Sequence, residues 1–202
     1  GTGTQGANAS NVSSFLAPVG TMKVTGSAIT TALIFTSSVK SLSVGSGFVA
    51  SLLQGTGQFG TLSLGTIMDG SEVEAGRITK LIVKGGISSG PGDQSGINIS
   101  GALGSAQIGG TMYGARLTAG SIGTMSVAGS VIALEGAAES GNIRSLGEIR
   151  LLTIRGDLIA ADESNTGVIS AAGNVGKVVL GGSLIGPRTT DFVSGSGAIL
   201  SD

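Results

Sequence analysis

The chain has 202 residues and a net charge of −1, with its 11 basic residues spread along the length, so it presents no electrostatic footprint for nucleic acid. Only 11% of residues are charged and 3% aromatic, whereas an ordinary globular enzyme carries about 25% charged residues. There is no cysteine, hence no disulfide framework and no thiolate metal site, and no apolar run approaches the ~18 residues of a membrane helix.

Residues 1–18 read as a polar N-terminal segment or a degenerate coil, since Gly1 to Ser14 is too poor in apolar side chains to fold alone. The start at Gly1, with no charged region followed by an apolar core, suggests a processed protein or an excerpt of a longer one. Asn8, Asn11 and Asn98 head Asn-x-Ser triplets, glycan acceptors only in a eukaryotic secretory setting.

From Val19 to the end the chain repeats itself as a single domain. Val175 to Gly186 can be laid over Leu103 to Gly114 without a gap, and copies of the same unit start at Val19, Val39, Phe59, Ile78, Leu103, Ile122, Ile149 and Val175. The steps run from 19 to 27 residues, a period that signals a solenoid. Repeat position 4 is apolar throughout (Met22, Leu42, Leu62, Leu81, Ala106, Met125, Leu152, Val178), and so is position 6, from Val24 to Leu180. Position 10 is expected to be a third core column, holding Ala28, Phe48, Met68, Ile87, Met112, Val131, Leu158 and Leu184. Alternation at positions 4 and 6 is the period-two mark of a half-buried strand, and helical spacing is absent.

Glycine recurs at position 8 (Gly26, Gly85, Gly110, Gly129, Gly156, Gly182) and two residues before most starts (Gly57, Gly76, Gly101, Gly120, Gly147, Gly173). These are expected to be turns that exploit glycine's tolerance of positive φ. Each copy then makes one coil, and stacked coils form an all-β parallel β-helix of about eight coils, on the order of 40 Å long at ~4.8 Å per rung. Insertions at 88–95, 133–140, 160–166 and 186–191 fall at one corner, and Gly197 to Ser201 resembles Gly167 to Ser170 as a further partial coil.

The corner with the insertions holds most of the acids, placed in loops: Asp69, Glu72, Glu74, Asp93, Glu135, Glu139, Asp162, Glu163 and Asp191. Glu135 and Asp162 occupy the same repeat position in consecutive coils and, with Glu139 and Glu163, are the one candidate calcium site, through oxygen ligands. The alternative is a solvated acidic edge, and the calcium nonapeptide of β-rolls is absent. The outward positions of the first strand carry hydroxyls, lysines and apolar residues but no carboxylate. With no His, no Trp and one Tyr in the chain, paired acid–base groups and sugar-stacking platforms are missing from that face, so no enzyme is expected. The hydroxyl column Thr21, Ser41, Thr61 is broken at Lys80, which argues against a regular lattice-binding face.

The run Gly173 to Gly186, with Gly167 to Ser170 before it, resembles the tandem repeats of large secreted bacterial β-solenoids of the adhesin and haemagglutinin-like kind. That resemblance implies a structural or adhesive role outside the cell or at its surface, in a fibre, stalk or layer. Self-association end to end or with other copies is then expected, with a cell-surface or matrix polysaccharide as a further partner, and no nucleic acid or membrane span. A rival resemblance is to bactofilins, intracellular filament-forming β-helices, whose coils are shorter and more uniform. A carbohydrate-binding or carbohydrate-active β-helix is the third alternative.

Overall fold

The computed structural model describes residues 11–90, 94–187 and 196–201. Every strand pairing in it is parallel. The chain is a parallel β-helix whose coils each turn through three faces. The first face carries the repeat starts, with Val19–Val24 paired to Val39–Val44 and so on to Val175–Leu180. The second face is an eight-stranded sheet of very short strands, from Ala28–Ile29 to Leu184–Ile185. The third face runs from Asn11–Phe15 to Ile199–Ser201. First and third faces merge into one 13-stranded sheet, because strands such as Leu52–Leu64 and Gly96–Ile108 continue around their shared corner.

The repeat starts form a single ladder: Val19 pairs with Val39, Val39 with Phe59, Phe59 with Ile78, and the register continues through Leu103, Ile122 and Ile149 to Val175. Positions 4 and 6 point inward beside it. Leu42, Leu62, Leu81 and Leu152 are fully buried, each side chain contributing about 1.5–3 kcal/mol by leaving water. Stacking equivalent apolar residues on neighbouring rungs is what a parallel register does with a period-two pattern. The partial coil also pairs as expected, Ile199 on Ile169, each strand entered through a glycine at positive φ, Gly197 and Gly167.

The second-face core column departs from expectation twice: Leu184, in the last coil of the described stack, is 49% exposed, and Met68 is not the third coil's core residue. Phe48 pairs with Ile67, which in turn pairs with Ile87, so Ile67 rather than Met68 is the buried residue and Met68 points out. The corner Gly65-Thr66 has one residue fewer than Gly45-Ser46-Gly47, and a one-residue slip moves a strand's side chains to the other face.

The role of the corner glycines also differs from expectation. Neither the position-8 glycines nor those before the repeat starts have positive φ. What requires them is the adjacent coil: a Cβ on Gly101 would stand 2.6 Å from the Gly76 carbonyl oxygen, and one on Gly120 2.7 Å from that of Ser100. The left-handed backbone lies instead at the corner between second and third faces. It is carried there by Thr30, Ala50 and Asp69 as well as by glycines such as Gly114. Alanine in that conformation costs about 1–2 kcal/mol, against a smaller entropic cost of glycine. Ala50→Gly is therefore expected to raise the unfolding free energy by roughly 0.5–1 kcal/mol, read from a shift in the urea midpoint at unchanged slope.

Candidate functional site

The inserted segments come after the second-face strands, so the corner between the second and third faces is the edge with loops. Buried hydroxyls close it. In the loop after Ile132, Ser140 Oγ accepts from the Leu134 N–H (2.9 Å) and donates to the Leu134 carbonyl (3.2 Å). In the next coil Thr166 Oγ1 accepts from the Ala161 N–H (3.1 Å), with the Ala161 and Glu163 carbonyls each at 2.9 Å. Ser95 Oγ donates to the Ser88 carbonyl (2.8 Å). Coils without long loops use the same device, with Ser51 Oγ 2.7 Å from the Val49 carbonyl and Ser71 Oγ 2.6 Å from that of Met68. Each hydroxyl satisfies backbone groups that a buried turn would otherwise orphan. The signal in the sequence is a Ser or Thr one to three residues before the third-face strand, hidden by the abundance of Ser elsewhere.

Two of the four candidate calcium ligands serve as structural ties. Glu163 Oε1 accepts from the Gly136 N–H (2.6 Å), which links the 160–166 loop to the 133–140 loop, while its Oε2 is buried with no hydrogen-bond partner. Glu139 pairs with Arg116 at 3.1 Å, both half-exposed, and so ties its loop to the third face. Glu135 is exposed and Asp162 half-buried. Among the described residues no three His, Cys, Asp or Glu come together as a metal-binding group. Asp93 and Asp191 lie outside the described residues.

Glu72 and Glu74 are not loop residues. They lie in the strand Glu72–Val83, two residues apart and therefore on one side of it, facing out from the third face. One ladder there runs Gln54, Glu74, Asn98, Thr118, Arg144, Ser170 on successive rungs. Gln54 Nε2 donates to Glu74 Oε2 at 2.7 Å, and these two with Asn98 and Ser100 line a groove of about 360 Å³. Farther along, Arg116, Thr118, Arg144 and Ser170 line a second groove of about 310 Å³. Asn142 fixes its wall by donating to the Asn165 carbonyl (2.7 Å) and accepting from the Val168 N–H (2.8 Å). The third face thus offers amide, carboxylate, hydroxyl and guanidinium groups one rung apart. The first face, as expected, offers mostly Ser, Thr and Lys. Its strands are marked by the repeat columns, whereas those of the third face lie beyond loops of variable length, which shift their own buried column, Leu33, Leu53, Val73, Ile97, Leu117, Ile143 and Ile169, out of phase with the repeat numbering.

No helix among the described residues is long and apolar enough to cross a membrane. No family model, curated protein or solved structure matches the chain.

Proposed function

We propose that the chain is a structural, non-catalytic β-solenoid of the cell surface or extracellular matrix, a segment of a fibre, stalk or layer in which coils are continued by further coils. One observation carries this reading: the apolar columns are open at both ends of the described stack. Met22 and Val24 at one end, and Val178 and Leu180 at the other, are only partly buried, whereas their equivalents Leu62, Leu64, Leu81 and Ile154 are fully covered. An open parallel coil also leaves a row of unpaired backbone donors and acceptors, a template for another β-coil. Scarce charge removes a barrier to that contact. The uneven loops on one edge favour display to the surroundings over the uniform coils of an intracellular polymer. A second reading, a carbohydrate-binding solenoid, draws on the polar ladder of the third face.

Negative-stain electron microscopy of the purified chain is expected to show filaments with an axial repeat near 40 Å, about eight rungs of ~4.8 Å. Met22→Lys, which places a charge on the open column, is expected to abolish them while leaving the thermal melt of the chain in place. Dispersed particles from the unaltered chain at high concentration would sink end-to-end assembly. Binding of neutral oligosaccharides, lost in Asn98→Ala and Thr118→Ala variants, would move the weight to the second reading.

A further inference from the structure

The last residue of each second-face strand points outward. From Ile29 in the first coil to Ile185 in the eighth that residue is apolar, save for Ser88 in the fourth. Ile29 is 57% exposed and Tyr113 42%. No charged residue occurs in any of the eight strands. The result is an uncovered apolar ribbon about 34 Å long, seven intervals of ~4.8 Å. Its strands, two or three residues long, make it about 7–10 Å wide, so an interface of the standard ~800 Å² per partner covers the ribbon together with its flanking corners. Neither of the other faces has such a ribbon.

The two corners that flank it have opposite charge. At the corner with the first face stand the exposed Lys84 in the fourth coil and Arg155 in the seventh; Asp157, beside Arg155, is taken up by the Ser183 N–H (2.7 Å). At the corner with the third face stand the exposed Asp69 in the third coil and Glu135 in the sixth, and the basic side chain that reaches it, Arg116, is paired with Glu139. We propose that the second face is an interface between two copies of this chain, packed side by side and parallel about a two-fold axis running along the rod. Only that symmetry sets the basic corner of one copy against the acidic corner of the other. It brings coil against the same coil, so Lys84 meets Asp69 and Arg155 meets Glu135, each with the same offset of one rung, and each pair forms twice. A two-fold across the rod would set like corners together. A groove of about 400 Å³ lined by Tyr113, Ile132, Leu134 and Ile159 lies between the ribbon and the loops, and it receives the partner's corner. The ribbon supplies the affinity, while the rim charges select the direction.

The proposal rests on the reading that copies associate, but uses a different surface from end-to-end stacking, and the two separate experimentally. In the Met22→Lys background, which removes stacking, sedimentation at tens of micromolar is expected to give a species of twice the 19.5 kDa chain mass. Lys84→Glu with Arg155→Glu is expected to weaken it at least tenfold, and adding Asp69→Lys with Glu135→Lys to restore it. The chain has no cysteine, so Ile132→Cys reports geometry directly. On the parallel axis it meets its own copy and cross-links under mild oxidant, whereas Ser126→Cys on the first face does not. A monomer at 100 µM, a charge reversal without effect, or cross-linking of Ile132→Cys only to a Met68→Cys chain would overturn the parallel pair. Filaments from the unaltered chain alongside any of these would leave end-to-end stacking standing, and cross-linked pairs without filaments would do the reverse.

Discussion

Replacing Phe59 by alanine is expected to cost about 3–5 kcal/mol of unfolding free energy, among the largest losses available to a single substitution in this chain. Phe15, Phe35 and Gly55 are successive rungs of one inward third-face ladder. The rings of Phe15 and Phe35 stack at 4.8 Å between centroids. At Gly55 the ladder has no side chain, and the ring of Phe59, arriving from the start of the first face, occupies that space. It meets Phe35 edge-on at 5.6 Å and 84°. A Cβ on Gly55 would stand 2.7 Å from Phe59 Cζ. Gly55→Ala alone is therefore expected to destabilise by about 1–3 kcal/mol through overpacking. The same change in a Phe59→Leu background is expected to cost much less, because the smaller side chain vacates the volume the methyl needs. Urea denaturation of the four proteins gives the coupling energy, and additivity within about 0.5 kcal/mol would show that the two residues do not share one cavity. Each coil touches only its neighbours, so hydrogen exchange in Phe59→Ala should accelerate in the first four coils and stay slow around Ile149–Ile154.

That aromatic cluster shows where the sequence is legible and where it is not. Phe59 stands in a repeat column, and its burial follows from the column. Phe15 and Phe35 each stand four residues before a repeat start, Val19 and Val39, so the 20-residue step does bring them together, but their column lies outside the twelve-residue unit, beyond loops whose varying length hides it when positions are counted forward. Glu72 and Glu74 are misplaced by spacing for the same reason: counted forward from the repeat start they fall where later coils have loops, although their own coil has none. Spacing also puts Met68 one position too far inward, because a deletion in a corner is invisible until pairing partners are known. The first-face ladder has no such gap between Val19 and Leu180, and its register is readable from alternation alone. The candidate calcium ligands are recognisable as neighbours on one edge. What those side chains do there depends on Gly136 and Arg116, whose positions are set by how the loops fold back and not by spacing.

A valine at Gly101 is expected to cost about 3 kcal/mol or more, since the Cβ clash at the Gly76 carbonyl oxygen involves backbone on both sides and neither coil can yield alone. The same logic makes glycine's importance depend on its place in the stack. At repeat position 8, a Cβ on Gly156 would stand 2.9 Å from the Ser130 nitrogen in the preceding coil, whereas a Cβ on Gly26, in the first coil, has nothing within 4 Å. Gly26→Val is therefore expected to leave the unfolding free energy of the isolated chain, read from its urea midpoint, within about 0.5 kcal/mol of the unaltered protein. In an end-to-end assembly the last coil of another copy stands against Gly26 as the preceding coil stands against Gly156, and Gly26 then becomes as crowded. The variant should fold normally and fail to form filaments. Filaments of ordinary length from Gly26→Val would mean that the coils do not meet in register at that junction, and that whatever covers Met22 and Val24 is not another coil of this kind.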